Sequence, residues 1–165
     1  MKAIVAVDKN WGIGKDNQLL FSIPQDMKFF RQTTLNKVVV MGAKTLMSFP
    51  NSNPLKNRIN VVLSTKIKRD DCVCVDSLDK LLSILSDYKS DDVFIIGGAK
   101  IYSQMLDYCD EVFVTKVDAD GRADVFFPNL DEKNNWQLVE KSERKEDNGY
   151  SFEFTKYKNN QVEKV

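Results

Sequence analysis

The chain has 165 residues, its 24 Lys and Arg are cancelled by 24 Asp and Glu, and it contains no histidine. The length suits a single domain, and 42% apolar with 29% charged residues is the make-up of a globule that needs no staples. Without imidazole there is no Ser-His-Asp triad, Cys-His dyad or histidine metal site, and a net charge of zero lacks the basic excess of a general nucleic-acid binder.

Ala3–Val7, the longest uninterrupted apolar run at five residues, reads as a buried first strand. A signal-peptide core needs about seven apolar residues and a membrane span about 20, so the expectation is a cytoplasmic protein without a membrane segment. Gly12-Ile-Gly14 follows in a stretch of nearly 15 residues with no helical or strand pattern. Segments that long without structure are uncommon and tend to be functional. Trp11 and the two glycines suggest a mobile lid, a surface Ω-loop being the alternative. Ser22-Ile-Pro-Gln25 has capping-box spacing and predicts a helix through Met27, Phe30 and Leu35.

Val38–Met41, Asn60–Leu63, Cys72–Val75, Val93–Ile96 and Val112–Thr115 are further short apolar runs, of the kind strands buried on both faces show. Between them a second helix begins near Lys44. A third carries Leu78, Leu81, Leu82 and Leu85 behind Ser77, and a fourth follows Gly97-Gly98 with Ile101, Tyr102, Met105 and Leu106. Cys72, Cys74 and Cys109, an odd number, form neither a disulfide framework nor a zinc set, and read as free thiols in a reducing compartment. In the last quarter Trp136–Val139 and Tyr150–Phe154 flank a polar stretch ending in Asn148-Gly149, a hairpin-turn signal. The expected fold is therefore α/β: a mostly parallel sheet with helices on both faces, closed by an antiparallel C-terminal ribbon. Ligands on such sheets bind beyond the carboxyl ends of the strands.

Several residues near those ends bear chemistry. Asp26 lies in the first turn of the first helix, where an acid complements the helix dipole. It also borders Met27 and Phe30. Partial burial there would raise its pKa and, with no histidine present, make it the leading proton-handling group. Gly97-Gly98 opens a helix after a buried strand, which suits either a phosphate at a helix start or a tight turn with no ligand. Lys44, Arg58 and Lys100 are either solvated charges or anion ligands, and the guanidinium fork of Arg58 suits a carboxylate.

Eight ordered blocks together resemble the dihydrofolate reductases. They are Ile4–Ala6, Gly12–Asp16, Ile23–Phe30, Val40–Gly42 with Thr45, Arg58–Ser64, Ile95–Tyr102, Thr115–Asp118 and Phe127-Pro128. The resemblance spans Lys2 to about Tyr157, a domain of residues 1–158 followed by a tail of 159–165. It implies a single-domain, predominantly parallel eight-stranded sheet with an antiparallel C-terminal strand and four main helices. It further implies NADPH-dependent reduction of 7,8-dihydrofolate to tetrahydrofolate, by hydride transfer to C6 and protonation of N5, in a monomer that antifolates inhibit and that needs no metal.

By position, the resemblance makes Asp26 the acid against the pterin, with Thr115 bonded to it and Leu20 and Phe21 beside the reacting centre. Ile4, Val5, Ala6 and Ile96 would border the ring, Met27, Phe30, Phe49 and Leu55 would enclose the substrate, and Arg58 would grip its α-carboxylate. The nicotinamide would lie against Ala6, Ile13 and Gly14. Gly97, Gly98 and Ala99 would meet the pyrophosphate, with the Gly97–Gly98 peptide cis, Thr45 would also bind phosphate, and Gly42, Ile96, Lys100, Ile101 and Tyr102 would complete the cofactor site. Lys44, Ser64 and Thr65 would take the 2′-phosphate, and Leu63 would also border the cofactor. Two positions depart from the family. Leu20-Phe21 replaces a usual Pro-Trp and loses an indole N–H, and Ala43 stands where Arg is common, which leaves Lys44 to carry the 2′-phosphate contact. Alternatives are another NADPH-dependent pterin or pyrimidine reductase on the same fold, such as the riboflavin-pathway reductase, and a non-catalytic nucleotide-binding module. Asp26 and Arg58 favour the folate reading.

Overall fold

A computed structural model of the chain describes all residues, Met1–Val165. Its strands in chain order are β1 Lys2–Val7, β2 Gly12–Lys15, β3 Gln18–Leu19, β4 Val38–Gly42, β5 Ile59–Leu63, β6 Val73–Val75, β7 Val93–Gly97, β8 Glu111–Val117, β9 Val125–Phe126, β10 Trp136–Lys141, β11 Lys145–Asp147 and β12 Tyr150–Asn159. The helices are α1 Pro24–Thr34, α2 Ala43–Ser48, α3 Leu78–Leu85 and α4 Ala99–Met105. The main sheet has the order β10-β12-β8-β1-β7-β4-β5-β6, with β11 completing a hairpin on β12. From β8 to β6 every pairing is parallel, whereas β12 runs antiparallel to β8, and β10 and β11 run antiparallel to β12. This is the mostly parallel sheet with an antiparallel C-terminal ribbon that the apolar runs predict, and the eight strands along its path are the number the resemblance implies.

The runs are continuous because both faces are covered. Successive residues of β4 feed opposite clusters: Val38 and Val40 pack with Leu81, Leu85, Ile101 and Met105 on one side, Val39 and Met41 with Leu46 and Val62 on the other. The side chain of Ser77 accepts from the Lys80 N–H and caps α3, as its spacing predicts.

Two local expectations are corrected. The capping box at Ser22 does not form: α1 starts at Pro24, its N-cap is Ile23, and no side chain of its own caps it. Proline takes the first helical position, where it has no N–H to satisfy, so Gln25 falls one residue short of the box register. The cap comes from the far end of the chain instead. Asp147 Oδ2 accepts from the Gln25 N–H at 2.8 Å, and Asn148 Nδ2 donates to the Ser22 carbonyl at 2.6 Å.

The long segment after β1 is also not structureless. β2 and β3 join β9 in a small sheet of order β3-β2-β9. Trp11 is no lid residue: it is buried, stacked on Phe127 at 6.2 Å and edge-on to Tyr157 at 5.8 Å. Strands this short, one of them paired with a partner more than a hundred residues away, leave no periodic pattern to read.

The sheet opens at its centre. β1 stays paired with β8 along its whole length but pairs with β7 only at Lys2↔Phe94 and Ala3↔Ile95. Beyond these, β4 shifts register against β7 between Val40 and Met41. Ile4, Val5 and Ala6 thus face Ile96 and Gly97 across a split at the carboxyl end of the sheet, the place where such folds bind ligands.

Candidate active site

One wall of the split carries Asp26. α1 presents it towards β8, where the buried Thr115 donates its Oγ1–H to Asp26 Oδ1 at 2.7 Å. Burial pushes the carboxyl above the ordinary carboxylate range, and the Thr115 hydrogen bond pulls only partly the other way. The apolar side of α1 is not sealed in the core. Met27 is 62% exposed, Phe30 is half-buried, and Thr34 is the helix's only buried residue. An acid flanked by accessible apolar side chains suits a flat, partly polar ring.

Below α1, Phe49 and Leu55 pack at the edge of the Val39–Met41 cluster together with Ile96. Arg58 is aimed by three contacts. Its Nε donates to the Lys56 carbonyl, its Nη1 donates to Thr34 Oγ1 at 3.1 Å, and that hydroxyl donates to the Phe30 carbonyl. Nη2 is left without a protein partner. Burial and the nearby Arg31 charge lower the Arg58 pKa, so the two cations make a local site for an anion.

The other wall suits a dinucleotide. The starts of α2 and α4 have no side-chain cap, so their first N–H groups remain free for an anion. The Gly97–Gly98 peptide is cis, as expected, and Gly97 has φ +115°, where a side chain would meet the Tyr102 ring at 3.1 Å. A side chain on Gly98 would come within 3.9 Å of Thr45 Oγ1, which brings the two helix starts to one place. Ile101 packs against Gly42 and Leu63 is half-buried on β5. Lys44, Thr65 and Lys100 are exposed, and Ser64 Oγ accepts from the Lys66 and Ile67 N–H groups. The free donors, the glycine cradle and the exposed cations fit a phosphorylated dinucleotide. Tyr102 is buried, and its hydroxyl donates to the Ile4 carbonyl at 2.7 Å, steadying an oxygen at the rim of the split.

The arm β2–β3 borders the opening with Ile13 buried and Gly14 half-buried. Leu20 rests against Gly121, whose notional side chain would lie 2.7 Å from it, and Phe21 packs edge-on to Tyr150 at 4.9 Å. The arm is held by bonds that run in both directions. The Asp124 N–H donates to the Gly14 carbonyl at 3.0 Å, and Asp124 Oδ2 accepts from the Asp16 N–H at 3.1 Å.

Three contributors lie outside the sequence expectations. Asp8, 3% exposed, accepts from the N–H groups of Asn10, Gly12 and Gly121, and so ties the arm to the loop after β8. Buried Asn60 bonds both backbone groups of Leu55 and the Arg58 carbonyl. Leu19, 86% exposed at the tip of the arm, is an apolar residue left bare beside the opening. Only that last one has a trace in the sequence, an apolar pair after a polar turn.

A split sheet with a half-buried acid on one wall and uncapped helix starts on the other fits a dinucleotide-dependent oxidoreductase. Comparison with known proteins narrows the class. A family model described as dihydrofolate reductase matches residues 1–159. The dihydrofolate reductase of Bacillus subtilis (strain 168) is 37% identical over 158 residues, covering 93% of this chain and 91% of the relative. That of Buchnera aphidicola subsp. Acyrthosiphon pisum is 34% identical over 154 residues, covering 92% and 94%. That of Haemophilus influenzae is 36% identical over 135 residues, covering 81% and 79%. The chain belongs to the dihydrofolate reductase family.

Proposed function

We propose that the chain reduces 7,8-dihydrofolate to 5,6,7,8-tetrahydrofolate with NADPH, with Asp26 as its proton-handling residue. The observation that carries the assignment of roles is Asp26 itself, a half-buried acid with a raised pKa on the accessible apolar side of α1. The bound dinucleotide supplies the hydride, which goes to C6 of the pterin. The residues of the chain seat, orient and protonate. The two Asp26 oxygens match the N3 and 2-amino donors of the pterin. Thr115 fixes one of those oxygens, and the raised pKa keeps a proton near N5, to which a water admitted past the Gly12–Gly14 arm delivers it. Ile4, Val5, Ala6 and Ile96 edge the ring, while Met27, Phe30, Phe49 and Leu55 enclose the rest of the substrate. Antifolates compete for the same seat. One chain supplies every group named.

Nicotinamide absorbance, followed with and without dihydrofolate, tests the activity. A dihydrofolate-dependent loss of NADPH is expected, and its absence would sink the assignment. Arg58 is assigned to the substrate's α-carboxylate. Arg58→Gln is expected to raise the KM for dihydrofolate roughly 10- to 100-fold, the worth of hydrogen bonds to a charged group, with kcat nearly unchanged. Lys44 is assigned to the 2′-phosphate. In Lys44→Ala the kcat/KM preference for NADPH over NADH is expected to fall by up to about tenfold, the scale of one exposed ion pair; an unchanged ratio removes Lys44 from that role.

No helix is long and apolar enough to cross a membrane. The enzyme is assigned to the cytoplasm, where its three free cysteines stay reduced.

A further inference from the structure

Away from the cleft, Cys72 and Cys74 point the same way at the edge of the sheet, with their sulfurs 3.7 Å apart. Both are half-buried and free, whereas Cys109 is buried elsewhere. The pair sits in a built setting. The Cys74 thiol is directed at the Arg69 carbonyl. Arg69 is itself fixed, its guanidinium gripping Asp71 through two nitrogens and donating through the third to the Ser52 carbonyl at 2.7 Å. Cys74 is in register with Val62 of β5, and Cys72 packs on the Val39–Met41 cluster, so neither backbone position is free to drift.

This arrangement is poor for a disulfide and good for a bridge through one atom. Residues two apart on an extended strand have Cα atoms about 6.6–6.8 Å apart, at the upper limit for a disulfide. Zinc wants four ligands, and no group of three or more potential metal ligands exists in the chain. We propose that Cys72 and Cys74 form a dithiol site that captures a trivalent arsenical of the class R–As=O. The step is a condensation: two S–H bonds and one As=O bond are lost, two As–S bonds form, and one water leaves. Arsenic stays trivalent, and no oxidant is needed. The reaction starts from neutral thiols, which suits Cys72, whose thiol burial and the neighbouring Cys74 push up to about 11. That same shift makes the Cys72 thiol a weak nucleophile towards reagents that need a single thiolate.

The test uses the folded, reduced chain and phenylarsine oxide as probe, read by native mass spectrometry. One adduct per chain is expected, stable to a large excess of a monothiol and removed by a vicinal dithiol. Serine at either position, Cys72→Ser or Cys74→Ser, converts a two-point grip into one. Each should weaken retention by roughly 10²–10⁴-fold, the range effective concentration confers. Cys109→Ser should retain the adduct as wild type does, and the thermal unfolding curves of the serine variants show that they are folded. An adduct as stable in either of the first two variants as in wild type overturns the proposal, as does a wild-type adduct that monothiols strip away or no adduct at all.

Discussion

Asp26→Asn is expected to lower the rate of NADPH oxidation at neutral pH by roughly 10²–10⁴-fold, the range for losing a positioned proton-handling group. The amide keeps the shape and can still meet Thr115, but it cannot titrate. In wild type the rate of the chemical step should decline as pH rises through the raised Asp26 pKa, because the role proposed for Asp26 uses the protonated carboxyl. In the variant that titration vanishes, and activity is regained only in acid, where the substrate arrives already protonated. Single-turnover absorbance measured against pH separates these outcomes, and a variant that works normally at pH 7 makes Asp26 structural. The substitution should move stability the opposite way from activity. The folded-state pKa lies above the unfolded one, so the carboxyl favours the folded state at acid pH, and that support fades as pH rises through the folded value. Near neutrality a desolvated carboxylate is a burden, so Asp26→Asn should melt higher than wild type there, with the gain shrinking in acid.

Gly97→Ala is the second large effect. At φ +115° any side chain is strained, at about 1–3 kcal/mol, and the new methyl would meet the Tyr102 ring at 3.1 Å, for a similar overpacking cost. Together these remove roughly 2–6 kcal/mol of stability, as measured by urea unfolding. The rotation of Tyr102 needed to relieve the contact would also loosen its hydroxyl from the Ile4 carbonyl. Any folded fraction should therefore bind NADPH weakly, which fluorescence titration reads directly. Gly149→Ala is the matched control: it also has positive φ but nothing within 4 Å, so it should keep cofactor affinity.

Most of the sheet was legible because burial on both faces writes itself as unbroken apolar runs, as in Val38–Met41 and Val93–Ile96. The leucines of α3 were legible for the equivalent reason at helical spacing. Asp26, Arg58 and the glycine pair stood out because their residue types are costly or unusual where they lie. What stayed hidden depends on pairing at a distance. Nothing around Gly12 announces a partner at Val125, and nothing around Asp8 says that its carboxylate will collect the Gly121 N–H. The split between β1 and β7 is a departure from regular register, and such departures have no local composition. Ser22 misleads because capping-box spacing takes no account of Pro24, which starts the helix one residue later.

The cap on α1 bears on how the enzyme is made. Asp147 reaches the Gln25 N–H, and Phe154 lies opposite Thr115 when β12 pairs with β8. During synthesis domains consolidate from the N-terminus onward, yet the seat of the acid emerges early and waits for the last stretch of chain to brace it. A nascent chain stalled before residue 145 would hold Asp26 and Thr115 but lack the ribbon that backs them. Competence to bind a pterin should consequently appear in one step, as the final strand leaves the ribosome, rather than accumulate with length.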